Sequence, residues 1–238
     1  MGHPDLLAPS ETGSLLLSGL SHDDFSRMKP YLEPVTLRVK EVLAERNTPL
    51  THVYFPESGM ASLLAEFGDK AIEMASVGRE GMVGMALFFG AEYLPEKIVV
   101  QIPGRALRMD AAAFAKCLPE CDSLRDSLNR YAACLYAFAG HNAACGLKHR
   151  TTARLARWLL HACDQSGTTN LQLTHNYAAI MLGVRRSSVT VSAGALRTKK
   201  LVAYTRSAIE VIDREGLRDV ACECYETIRG TYERLLTR

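Results

Sequence analysis

Between residues 35 and 110, apolar and polar positions alternate in short runs. VTLRV at 35–39, HVYF at 52–55, GMASLLAEF at 59–67, AIEMASV at 71–77, KIVVQI at 97–102 and GRALRMD at 104–110 are the runs. A period of two sends successive side chains to opposite faces, so each run predicts a short strand. Gly68-Asp69, standing between two runs, signals a hairpin, and Pro103-Gly104 divides the last pair. Short strands punctuated by Gly and Pro predict a sandwich or barrel-like roll.

The period then changes. From Asp122 to Cys145 apolar side chains fall at Leu124, Leu128, Tyr131, Leu135 and Phe138, in steps of four and three, and Asn142 and Cys145 continue the register. That is a coiled-coil seam on a long helix. It has two candidate partners, the chain's own roll or a second copy of itself; the self-paired seam is the expectation. TARLARWLLHAC at 152–163 predicts an amphipathic helix with Leu155, Trp158, Leu159 and Ala162 inward.

Residues 173–202 carry the clearest chemistry. Two helical segments flank Gly183, with Leu182 and Val184 either side of it and Ala178, Ala179 and Val189 at inward positions. That spacing predicts a helix-turn-helix of bacterial type. Thr174 is placed to cap the first helix. The second opens with Arg185, Arg186, Ser187 and Ser188, donors to base edges or phosphates with no carboxylate among them. His175, Thr190, Lys199 and Lys200 complete the expected DNA-contacting set. LVAYTRSAIEVID at 201–213 reads as two short strands about Arg206-Ser207, a wing. Any two amphipathic helices joined by glycine share part of this pattern, so charge decides. From Arg150 to Ala208 there are nine basic residues and one acidic, in a chain whose total is only +2. So concentrated a positive charge suits a phosphate-facing surface.

At 238 residues the chain has room for one or two domains. Residues 1–149 hold 14 basic and 18 acidic side chains, and residues 150–238 hold 14 and 8, which places a boundary near Gly146 to Arg150. The expected fold class is α+β: an N-terminal β-roll, double-stranded and jelly-roll-like, over 1–120, a dimerisation helix over 121–146, and a winged helix-turn-helix over 147–238. No apolar run reaches the roughly 18 residues of a membrane span. The N-terminus lacks a signal-peptide pattern, and seven cysteines without framework spacing suit reduced thiols. A cytoplasmic protein is expected. Catalytic motifs are lacking: GREGMVG at 78–84 has three glycines but precedes no convincing phosphate-binding helix.

In this order of elements the chain resembles the Crp/Fnr family of bacterial transcription regulators from about Val35 to Asp213. TARLARWLL and LGVRRSSVT carry the resemblance most specifically, with HVYFPESG a further match. The resemblance implies a homodimer on a two-fold symmetric DNA site, a recognition helix in each major groove, and RNA polymerase as a partner. Aligned through Gly183, the family's guanine-reading arginine falls on Arg186 and its phosphate-contacting hydroxyl on Ser188. Its glutamate becomes Ser187 and its later basic residue Val191, so the preferred half-site is expected to differ.

The family's cyclic-nucleotide pocket maps onto Gly84, Met85, Lys97, Ala139 and Gly140. There the ribose-binding glutamate is replaced by Met85, the phosphate-binding pair by Glu96-Lys97, and the base-contacting polar pair by Ala139-Gly140. These departures argue against cyclic AMP and leave the effector unknown. Met85, Leu87, Phe88 and Phe89 imply a greasier cavity or simply the filling of the roll. No metal or other cofactor is expected. No cysteine precedes Cys117, which excludes an iron–sulfur cluster of the family's N-terminal type. Cys117, Cys121, Cys134 and Cys145 read as packed small residues. Cys222 and Cys224, two apart in a helical segment, face different sides and make a poor metal pair. His149 reads as solvated or phosphate-facing. A redox-sensing thiol stays open. The alternative reading is an effector-binding or redox-sensing interaction module whose winged helix does not read DNA specifically.

Overall fold

The computed structural model describes residues 9–68, 70–205 and 208–236. Two short helices, α1 (Leu15–Ser18) and α2 (His22–Met28), lead into β1 (Glu33–Leu37), β2 (Val42–Ala44), β3 (His52–Pro56), β4 (Met60–Phe67) and β5 (Lys70–Val77). After α3 (Met85–Phe88) come β6 (Lys97–Ile102), β7 (Gly104–Asp110) and α4 (Ala111–Cys117). The strands form two antiparallel sheets, ordered β1-β7-β3 and β2-β6-β4-β5. All six expected strands are present within a residue or two of their expected limits. The three-residue β2 was too short to show alternation. Phe67 pairs with Lys70 where the hairpin was expected, although Asp69 lies outside the described residues. The chain changes sheet at Pro103, so β6 and β7 face one another across the roll.

The long helix α5 spans Asp122–Lys148. Its apolar stripe does not face outward. Leu124, Leu128 and Tyr131 are wholly buried among Leu17, Phe25, Met28 and the interior of the roll. Leu135 and Phe138 pack with Ala75 and with Ile228 and Tyr232 of the C-terminal helix α10 (Cys224–Leu236). The expected dimer seam of Leu124, Leu128, Tyr131, Leu135 and Phe138 is therefore corrected: Leu124, Leu128, Tyr131 and Phe138 are core, and Leu135 is half-buried against it. A heptad repeat shows that a face must be covered, not by what, and here the roll and α10 cover it. The face left exposed carries Ala133, Tyr136, Gly140, Ala143 and Leu147, again in steps of three and four.

The remaining elements are α6 (Thr151–Ser166), β8 (Asn170–Leu171), α7 (His175–Leu182), α8 (Arg186–Thr198), β9 (Val202–Tyr204), β10 (Ile209–Val211) and α9 (Arg214–Val220). The strands order β8-β10-β9, a small wing sheet whose expected turn, Arg206-Ser207, lies outside the described residues. Leu155, Leu159, Ala178, Leu182, Val189 and Leu196 form the core of this unit, and Met60, Leu64, Val99 and Ile102 of the roll belong to the same cluster. The helical unit is thus packed directly on the four-stranded sheet.

The glycines of residues 78–84 explain how closely. A Cβ at Gly78 would lie 2.4 Å from the Gln165 side chain on α6, and one at Gly81 would lie 2.2 Å from the Tyr131 ring on α5. This run brings two helices against the roll and makes no phosphate loop.

Candidate functional site

The helix-turn-helix is built as its residues suggest. The Thr174 hydroxyl accepts from the Tyr177 N–H at 3.3 Å, satisfying a free donor of the first turn of α7. Gly183 adopts the left-handed conformation (φ 60°) that ends α7 and turns the chain into α8. Arg185, just before α8, and Arg186, Ser187 and Thr190 on it are exposed and Ser188 is half-buried, while Val189, Ala193 and Leu196 hold the opposite face in the core. Thr190 donates to the Arg186 carbonyl at 3.1 Å, and its hydroxyl lies 3.2 Å from Nδ1 of His175. Arg186 faces a concave surface shared with Thr174, His175, Asn176, Tyr204 and Thr205. Burial and the Arg186 charge hold the His175 imidazole below its usual pKa, hence neutral at pH 7. The Arg197 guanidinium stacks 4.8 Å from the Tyr204 ring centroid. Asn176 and Tyr204 had no signal of their own, because the wing meets the helices only in three dimensions, and Arg197 counted only as one of the nine basic residues.

Lys199 and Lys200 are exposed at the end of α8. Two other basic residues of this region are turned inward, Arg157 buried and Arg154 half-buried. Arg157 is 1% exposed and donates to Asn142 Oδ1 at 2.6 Å, and Arg154 donates to the Leu182 carbonyl, fixing the end of α7. The phosphate-facing charge is smaller than the raw count of nine, since Arg157 ties the helical unit to α5 and Arg154 is engaged within the helical unit.

A second site lies between the roll and α5. A cavity of about 290 Å³ is bounded by Leu63, Met74, Val83, Met85, Ile98 and Tyr136, with Gly84 and Ala139 also in its wall. Among the described residues lining it only Glu96 is charged. Lys97 is not in the wall; its ammonium pairs with Glu45 at 3.1 Å. Gly140 is exposed on the outer face of α5, where an added Cβ would meet nothing within 4 Å. Of the five residues assigned to the pocket, the structure brings together Gly84, Met85 and Ala139 and excludes Lys97 and Gly140.

Strand β5 touches both the cavity and the helix-turn-helix unit. Glu73, on this strand, is buried beneath α6, where its carboxylate accepts from Trp158 Nε1 at 2.8 Å and from the Ser62 hydroxyl. Burial pushes its pKa up to about 7, against the opposing pull of those two hydrogen bonds and of the Arg157 charge. Asn142 donates to the carbonyls of Glu73 (2.7 Å) and Met74 (3.2 Å), and Met74 lines the cavity. At the turn of the helix-turn-helix, Gly183 sits against Ile72 of the same strand.

The structure also corrects the reading of the cysteines. Cys222 and Cys224 flank the junction of α9 and α10, where Cys222 is not helical, so residues two apart converge. Their sulfurs meet Cys145 and His149 at the end of α5.

A two-sheet roll, a long helix and a winged helix-turn-helix define a class of one-chain DNA-binding regulators. Residues 34–121 match the cyclic nucleotide-binding domain model and residues 153–220 match the Crp-like helix-turn-helix domain model. The chain belongs to the Crp/Fnr family of transcription regulators. No curated protein sequence matches it significantly. Solved structures do. FixK2 from Bradyrhizobium japonicum superposes with a TM-score of 0.67 at 14% identity, over 80% of this chain and 98% of that one. A crp/fnr-family regulator from Eubacterium rectale gives 0.63 at 16% identity, over 86% and 96%. The c-di-GMP-responsive regulator CLP from Xanthomonas campestris gives 0.63 at 13%, over 80% and 99%. At these identities the likeness is one of fold. The family is one of regulators, not enzymes, and no helix among the described residues is long and apolar enough to cross a membrane.

Proposed function

We propose that this regulator is a homodimer that reads a two-fold symmetric duplex site through α8. The observation that carries the reading is the exposed face of Arg185, Arg186, Ser187 and Thr190 beside the concave surface walled by Tyr204 and Thr205. It offers donors to guanine and phosphate and no carboxylate. Val191, 74% exposed on the same face, offers an apolar contact to a thymine methyl. The functional division is then 1–120 for sensing, 121–146 for pairing and 147–238 for DNA, with the cytoplasm as its place of action and RNA polymerase as its target.

Pairing uses the stripe Ala133, Tyr136, Gly140, Ala143 and Leu147. Tyr136 and Leu147 are 83% and 94% exposed, and the small residues between them permit close approach of a symmetric copy.

The effector is apolar rather than a cyclic nucleotide, since the cavity wall supplies no cation for a phosphate. Tyr136 lines the cavity and also stands on the pairing face. Occupancy would therefore act on subunit pairing through α5 and on the DNA unit through β5, two contacts that a ligand with differential affinity can bias. Selection of bound duplexes from a randomised library, repeated across salt concentrations, tests the reading: a two-fold consensus and a steep salt slope are expected. Binding with no consensus would overturn it.

A further inference from the structure

We propose that Cys145, His149, Cys222 and Cys224 form a binding site for a single thiophilic divalent cation, Zn²⁺ foremost, joining the end of α5 to the junction of α9 and α10. Their four candidate ligand atoms lie within 4.8 Å of one another. Cys145 Sγ is 3.4 Å from Cys222 Sγ, and Cys224 Sγ is 3.7 Å from Nδ1 of His149. A tetrahedron drawn with ordinary Zn–S and Zn–N bonds has edges of roughly 3.5–3.8 Å. The donors already stand near those corners, and three sulfurs with one imidazole make a Cys₃His set, typical of closed structural zinc sites.

The local structure accounts for the convergence. Cys145 and His149 are four residues apart, one turn, at the end of α5. Cys222 precedes α10 and Cys224 opens it, so the chain bends around the same point. All three cysteines are buried, and His149 is half-buried at the rim, which leaves a path for an ion.

Two further observations point to a ligand and not to packed small side chains. Nε2 of His149 lies 3.1 Å from the Glu223 carboxylate. A carboxylate on the far nitrogen is the usual partner of a metal-bound histidine, because it fixes the ring and raises its basicity. Beside the cluster, the buried Arg157 has Nε and Nη1 without hydrogen-bond partners among the described residues, and its charge acts on all three cysteines. Three thiolates around a divalent ion carry a net negative charge, which this buried guanidinium would balance. A Cys145–Cys222 disulfide would use only half of the donor set and leave the His149–Glu223 pair without a role.

The full-length protein, purified under reducing conditions, is to be loaded with Zn²⁺, freed of excess and analysed for metal and accessible thiols. In parallel, Co²⁺ is titrated into metal-free protein and its visible and near-ultraviolet absorption recorded. One equivalent of metal per chain, three thiols protected from alkylation, and a tetrahedral cobalt spectrum with sulfur-to-metal charge transfer are expected. Cys145→Ser and Cys222→Ser should lose the metal. Because these two are buried and folding of the variants is at stake, His149→Ala at the rim and Glu223→Gln give independent readings: the first should alter the cobalt spectrum, and the second should weaken affinity about 10- to 100-fold. Cys117→Ser, in the roll, should bind as the parent does. Failure of the parent protein to retain metal would overturn the site, as would retention unchanged in Cys222→Ser and His149→Ala. So would recovery of a metal-free Cys145–Cys222 disulfide as the form resistant to metal.

Discussion

The indole N–H of Trp158 donates to the buried carboxylate of Glu73 at 2.8 Å, tying the first helix of the DNA-binding unit to a strand of the roll. On one side of this bond Arg157 reaches Asn142 on the long helix, and on the other Met74 lines the cavity. A polar group so placed is costly to bury without partners, and its partners come from both units. The joint between the roll and the helix-turn-helix unit is therefore polar and directional at its centre and apolar around it, where Leu64, Ile102 and Leu155 pack.

Stability should fall as pH rises across this joint. Burial pushes Glu73 up to about 7 from its ordinary 4.5. Between those values the folded protein holds a proton that the unfolded chain has released, so raising pH removes stability until Glu73 is ionised in both states. Glu73→Gln should abolish that component. The difference between parent and variant denaturation midpoints is the measurement, because Glu80, also raised by burial, and His161, held down by burial, add opposing slopes to both proteins. A difference that does not change between pH 5 and 8 would remove Glu73 from this role.

The two faces of α5 should differ in their effect on the proposed assembly. Leu147→Glu combined with Ala143→Glu places charges on the exposed stripe, and sedimentation should then show a folded monomer with weakened DNA binding. Leu128→Ala, in the wholly buried stripe, should instead leave assembly intact and destabilise the subunit by about 2–5 kcal/mol, the range for a buried leucine cavity. The opposite pattern would return pairing to the buried stripe.

The difference between those faces shows where sequence reading stops. Strands β3 to β7 and the helix-turn-helix were legible because period two, period 3.6 and Gly183 are local properties. The covering of Leu135 and Phe138 by Ile228 and Tyr232 was not, since α10 lies some ninety positions away and a heptad repeat does not name its partner. Cys222 and Cys224 looked divergent only on the assumption of helix through both; the break before α10 brings them together. Arg157 counted as surface charge until its burial was seen. In the pocket, the loss of polar residues at Met85 and Ala139 was legible, whereas the pairing of Lys97 with Glu45 was not.

Recognition should separate into reading and positioning. Arg186→Ala removes a fork suited to guanine O6 and N7 and should cost about 1–3 kcal/mol, with selectivity relaxed at one position of each half-site. Lys199→Ala and Lys200→Ala should weaken all sequences alike and flatten the salt slope, because phosphate contacts carry no base information. Unchanged selectivity of Arg186→Ala across a randomised library would displace it as the reading residue.

Cyclic AMP should not bind. A cyclic phosphate brought into the 290 Å³ cavity would meet methionine, leucine and valine side chains and the Glu96 carboxylate. The two cations nearest in sequence are engaged elsewhere: Lys97 pairs with Glu45 at 3.1 Å, and Arg79 donates from Nε to the Gly13 carbonyl at 3.0 Å. Desolvating a phosphate without a partner charge is strongly unfavourable, and moving either cation inward would break a bond already made. Calorimetry with millimolar cyclic AMP or cyclic GMP should show no saturable heat, and neither should change operator affinity. Micromolar binding that Lys97→Ala abolished would mean that this lysine exchanges Glu45 for the ligand, and the cavity would then be a nucleotide site after all.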